Sequence, residues 1–158
     1  MRVSDRFKAG LVAGITGALL VGTVAHSQEA EPVASQLTPR LRELLQQEMQ
    51  AVLSASHEIL DALVTADHAV VADRAQRIRE SFIMEQSLTE QDKADLTAAV
   101  PPDFIELDEA FHSLAASLAE AGRAGDEALE ARYFAEMVES CVACHSRFAT
   151  DVFPSFGE

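Results

Sequence analysis

The 158-residue chain is poor in positive charge and in cysteine: 12 Lys and Arg stand against 26 Asp and Glu, and there are two cysteines. Such an excess of acid repels phosphate backbones and anionic lipid surfaces, which argues against nucleic-acid binding and peripheral membrane roles. The two cysteines have no second Cys or His pair near them in sequence, so the usual four-ligand zinc site is not available. No segment alternates apolar and polar residues with period two, and β-branched residues are sparse beyond the first 27 positions, which excludes half-buried strands. Neither a phosphate-binding glycine loop nor a nucleophile-base arrangement occurs, and nothing calls for an enzyme. No internal repeat is evident. Hydrophobic residues make up 48% and charged residues 24%, an ordinary globular composition of a length that suits one domain and one buried core.

The N-terminus has the three parts of an export signal. Arg2, Arg6 and Lys8 form a basic head, an apolar run fills residues 9–25, and Ala25-His26-Ser27 supplies small residues where a signal peptidase reads. Residues 1–27 are expected to be removed on export to the periplasm. A membrane association would follow only if the run stayed uncleaved, and Gly10, Gly14, Gly17 and Gly22 dilute it as a span. An Arg-Arg pair is missing, which favours the general secretory route. The remaining chain holds 9 Lys and Arg against 25 Asp and Glu, a net charge of −16. A redox partner would dock on it best through a basic face.

Residues 28–37 have no periodicity and read as a flexible leader, with order from Thr38 and the domain spanning residues 38–158. Thr38-Pro39 places a capping hydroxyl before a first-turn proline, and opens a first helix. Its apolar residues Leu41, Leu45, Met49, Val52, Leu53, Leu60, Leu63 and Val64 recur at three- and four-residue spacing, with Met49 expected at the centre of a core-facing stripe. A second helix is expected over residues 68–86, with Val71, Ala75, Ile78 and Phe82 inward. Thr89-Glu90-Gln91-Asp92 resembles a capping sequence for a short helix that ends before Pro101-Pro102. A third long helix follows from Pro102, burying Phe104, Leu107, Phe111, Leu114 and Leu118, and breaks at Gly122 to Gly125. Asp126 caps a fourth, with Leu129, Phe134, Met137, Val138, Cys141, Cys144, His145 and Phe148 in one stripe. The expected fold is all-α, an antiparallel four-helix bundle with a short extra helix in the long connection between the second and third helices.

The chemistry lies in Cys141-Val142-Ala143-Cys144-His145, the Cys-x-x-Cys-His pattern of covalent haem attachment. Two thiols three residues apart on one helical turn can reach the two vinyl groups of a single porphyrin, and the adjacent imidazole then reaches the iron. Three other readings compete. A thioredoxin-type dithiol needs a strand leading into a helix N-terminus, whereas this pair sits late in a C-terminal helix. A zinc centre needs further ligands close by. A structural disulfide across so short a loop would be strained. An export signal accords with haem c, which is attached outside the cytoplasm.

A haem motif at the end of the fourth helix of a bundle resembles the cytochrome c-prime and cytochrome c-556 family. The resemblance is carried from Ala115 to Phe148: small residues close the third helix, Gly125-Asp126 opens the fourth, and Cys141, Cys144, His145 and the aromatic Phe148 follow. Where the family often has a basic residue directly after that aromatic, this chain has Ala149, with Arg147 just before it. The resemblance implies one haem c, an axial His145 and a residue of the first helix facing the other side of the iron. A methionine there gives six-coordinate iron suited to electron transfer, and a non-ligand apolar group gives open iron that binds NO or CO. Met49 is the one methionine of the first helix, and is the candidate distal ligand. Its other reading is core packing. His57 and His112 are weaker candidates, read as boundary or surface histidines; His68 is expected to be solvated, and Met84 and Met137 to be core. The run Glu106, Asp108, Glu109 reads as a solvated face rather than a carboxylate metal site. The resemblance also implies homodimers that pair through the first two helices.

Overall fold

In a computed structural model, residues 32–156 apart from 82 and 83 are described. The expected signal sequence lies outside them, as do residues 28–31 and Phe82. Among the described residues the protein is all-helical. Helices α1 (Val33–Gln36), α2 (Pro39–Thr65), α3 (His68–Arg79), α4 (Met84–Ser87), α5 (Glu90–Ala99), α6 (Pro102–Ala124) and α7 (Glu127–Phe148) are followed by a 3-10 turn, Pro154–Phe156.

The ends of these helices follow from local chemistry. Thr38 Oγ1 accepts the Leu41 N–H at the start of α2, with Pro39 in the first turn. Thr89 and Asp92 form a reciprocal capping box at α5. Asp126 accepts the Leu129 N–H to open α7, immediately after Gly125 closes α6 in the left-handed conformation at φ 65°.

Order begins earlier than Thr38. Val33–Gln36 form a helical turn, and Val33 and Leu37 are buried against Leu41, Val100 and Phe148. The leader is therefore anchored from Val33 by apolar burial, which local composition does not reveal. The second long helix is shorter than expected. It stops at Arg79, and Ser81 adopts φ 55°. The chain then descends through α4 and α5, so this end of the molecule is walled by short helices.

Buried side chains form two clusters. One, rich in small residues, joins α2, α3, α6 and α7 through Ala55, Ile59, Val71, Ala75, Leu118 and Met137. Here Gly122 lets α6 press on α3, since a Cβ at that position would stand 2.7 Å from the Ala72 nitrogen. The other joins Val33, Leu37, Leu41, Val100 and Phe148, with Cys144, Phe104 and Leu96 packed against it. Two carboxylates are buried where apolar residues were expected. Glu48 is 4% exposed and accepts the Met84 N–H at 3.1 Å, and Glu130 is 1% exposed. Met49 and Leu129, placed inward by periodicity, are instead 39% and 37% exposed. The line that α2 buries is Leu41, Leu44, Glu48, Val52, Ala55, Ile59 and Ala62, one flank over from Met49, Leu53, Leu60 and Val64.

Candidate functional site

Cys141, Cys144 and His145 occupy the last two turns of α7, and all three side chains are half-buried. Both cysteines are free thiols, so the disulfide reading has no bond to support it in this structure. Burial raises the pKa of each. Cys144 is pushed up to about 11, first by desolvation and then by the nearby Asp108 and Cys141. A catalytic or redox dithiol needs the opposite shift. Burial lowers the pKa of His145, which favours the neutral imidazole that ligates metals. Among the described residues, no group of three or more His, Cys, Asp or Glu side chains is disposed to hold a metal ion by itself.

The two faces of α7 differ. Arg147 pairs with Asp103 of α6, and Phe148 meets Phe104 edge-on at 5.6 Å, so that side of α7 is committed to α6. The flank bearing Val138, Cys141, Val142 and His145 turns away from it, and Val138 and Val142 are each 48% exposed. On α2, Glu58 pairs with Arg74 of α3 at 2.5 Å, and the opposite flank carries Met49, Leu53, Leu60 and Val64, all exposed. Contact between α2 and α7 is far sparser than between α2 and α3. Both helices thus leave apolar side chains exposed on the flanks away from their packed partners.

Leu41 of α2 and Phe148 of α7 meet in one buried cluster. Met49 lies eight residues along α2 and Cys141 seven residues back along α7, roughly 12 and 11 Å from that contact at 1.5 Å per residue. The two residues are thus at similar axial distances from that cluster. Met49 is 39% exposed rather than buried in the core. The donor set fits covalent haem: two thiols and a neutral imidazole lie within five residues at one helix end, with Cys144 packed against the Phe148 cluster.

The remaining candidates are placed elsewhere or otherwise engaged. His57 is exposed at the far end of α2, beside a depression of about 320 Å³ shared with Asp61, Thr65 and Asp67. His112 lies on α6, where its buried Nδ1 has no hydrogen-bond partner and its Nε2 is 3.7 Å from Asp108. His68, expected to be solvated, is bonded to Glu130. Met137 is core, and Met84 is half-buried. Glu106, Asp108 and Glu109 are exposed along α6. One contact was not foreseen: Phe153, beyond the helix, stacks on His145 with ring centres 4.7 Å apart and planes 23° from parallel. Its only sequence signal is the recurrence of apolar residues at 152, 153 and 156 after the helix ends.

Comparison of the chain with protein families, with characterised proteins and with solved structures finds no match in any of the three.

Proposed function

We propose that this chain is an exported monohaem c-type cytochrome of four-helix-bundle architecture that carries electrons in the periplasm. The supporting observation is that Cys141, Cys144 and His145 stand together, half-buried, in the last two turns of α7, two free thiols beside an imidazole that burial keeps neutral. The bundle consists of α2, α3, α6 and α7, with α4 and α5 in the crossing connection. Each thiol would add across a vinyl group, the S–H hydrogen ending on the adjoining vinyl carbon, so attachment needs no net oxidant. His145 and Met49 are the residues that would hold the iron. When bound, haem supplies a one-electron Fe(III)/Fe(II) couple, whose potential follows from how far the surrounding apolar side chains exclude water. The acidic surface suits a donor or acceptor with a basic docking face.

The exposure of Met49 favours one other reading of the same site. If Met49 only shields the iron, the protein is a five-coordinate gas binder for NO or CO. Both readings share the c-prime-like fold and a homodimer through α2 and α3; sedimentation as a single species of monomer mass would reject the dimer.

The test is production with a c-type haem maturation system, followed by haem staining on a denaturing gel and a ferrous spectrum with and without carbon monoxide. Haem that stays with the chain after denaturation, and is lost in the double variant Cys141→Ser/Cys144→Ser, is the expected result. Chain without haem absorbance overturns both readings. An immediate high-spin response to carbon monoxide selects the gas binder.

A further inference from the structure

We propose that Phe153 is the positioning residue of the proximal ligand, holding the plane of the His145 imidazole by stacking on one of its faces. This rests on the haem reading above and extends it to a residue outside the attachment motif.

The chain is built to deliver Phe153 to that place. At the end of α7, the Ala149 N–H donates to the His145 carbonyl at 3.1 Å. The Ala149 carbonyl in turn accepts the N–H groups of Val152 at 3.0 Å and Phe153 at 2.9 Å, which folds the tail back over the helix end. The 3-10 turn Pro154–Phe156 follows, and Phe156 meets Phe153 edge-on at 6.5 Å, bracing the first ring from behind. The bonds made by the Ala149, Val152 and Phe153 N–H groups are backbone bonds to carbonyls within four residues of His145, and the Phe156 N–H closes the turn on the Phe153 carbonyl at 3.1 Å. The tail is therefore tied to the same turn that carries the imidazole.

The choice of partner has a chemical meaning. Metal-bound histidines are commonly oriented by a hydrogen bond from the second ring nitrogen to a carboxylate or carbonyl, which also raises their basicity. Here the ring contact of His145 is a phenyl face, and the imidazole makes no side-chain hydrogen bond among the described residues. A phenyl ring cannot select a tautomer. It can fix the torsion of the imidazole and exclude water from one face, leaving both ring nitrogens accessible at the edge. A stacked aromatic pair contributes about 0.5–1.5 kcal/mol beyond its buried area, a factor of roughly two to ten in an equilibrium. Because Phe153 is itself 41% exposed, its loss leaves the helices intact and acts on the ligand.

The experiment uses the haem-loaded full protein, with Phe153→Ala and Phe153→Tyr compared by spectroelectrochemistry and ferric electron paramagnetic resonance. Water admitted beside the imidazole favours ferric iron, which carries the extra charge. At the wild-type midpoint potential the ferric-to-ferrous ratio of Phe153→Ala is expected to rise roughly two- to tenfold, with broadened resonance lines from a freed imidazole torsion. Phe153→Tyr, which keeps the stack, is expected to stay near wild type in both. A Phe153→Ala protein with wild-type ratio and line shape overturns the proposal while leaving the haem reading intact. So does a Phe153→Tyr protein as altered as Phe153→Ala. Wild-type chain that takes up no haem overturns the haem reading itself, and this inference with it.

Discussion

His68 Nδ1 lies 2.9 Å and 3.1 Å from the two carboxylate oxygens of Glu130, a side chain 2% exposed. The contact ties the first turn of α3 to the first turn of α7. A carboxylate this deep is costly unless partnered, so removing its partner exposes the full penalty. His68→Ala is expected to destabilise the protein by about 2–4 kcal/mol, whereas Glu130→Gln, which keeps a hydrogen-bonding group of the same shape, costs about 1 kcal/mol. Urea unfolding of both single variants checks the asymmetry; equal losses would contradict it.

Gly122 sets how closely α6 lies on α3. A Cβ there meets the Ala72 nitrogen at 2.7 Å and its Cα at 3.0 Å, both backbone atoms that cannot swing aside. Gly122→Ala is expected to cost about 2–3 kcal/mol through forced separation of the helices, despite alanine's better helix propensity. Thermal unfolding measures it, and a variant more stable than wild type would refute the close packing.

In the haem-free chain, Cys144 titrates near 11 rather than 9.0 because it is desolvated beside Asp108 and Cys141. At pH 8 its thiolate fraction is about a hundredfold below that of an ordinary thiol, and alkylation by iodoacetamide slows by a similar factor. The folded-state value is raised, so the thiol's contribution to stability is whole below 9.0 and lost as pH rises through about 11. Alkylation at the rate of a free cysteine, or stability unchanged across that window, would count against it.

Asp92 shows the opposite sign. Hydrogen bonds from the Thr89 hydroxyl and backbone N–H, and then the Arg40 guanidinium, hold its carboxyl below the ordinary 3.8. Asp92→Ala is expected to lower stability at neutral pH, with the difference fading as pH falls below 3.8 through the depressed value of the wild type. Chemical denaturation at pH 7 and pH 2.5 tests the convergence.

Met49 is the one methionine of α2, and its substitution separates the two readings of the site. In haem-loaded Met49→Ala, loss of a distal thioether converts low-spin iron to high-spin; an unchanged high-spin spectrum assigns Met49 to shielding. A variant that stays low-spin removes Met49 as ligand and points to a histidine.

Much of the helical plan was legible because helix ends are written locally: Thr38-Pro39, Thr89 with Asp92, and Gly125-Asp126 each act within four residues. Which flank of a helix is buried was less legible. Met49, Leu53, Leu60 and Val64 continue the apolar pattern of α2, yet the packed line runs through Glu48, whose partner Met84 is 36 residues away. Glu130 finds His68 at a separation of 62 residues. Periodicity counts apolar residues and has no means of seeing a distant donor. The end of α3 was hidden for a related reason, since Ile78 and Phe82 keep helical spacing and neither Gly nor Pro marks the break at Ser81. The Cys141 to His145 site was read from its own five residues, whereas Phe153 reaches it only through the turn at Ala149.

The early end of α3 gives the two ends of the molecule different cooperativity. Around Leu118, long helices interlock and their amides should exchange with solvent only on global unfolding. Around Cys144, the wall is α5, ten residues long and fastened by Arg40 to Asp92. Such a segment can detach while the rest stays folded, so its amides should exchange through a smaller, local opening.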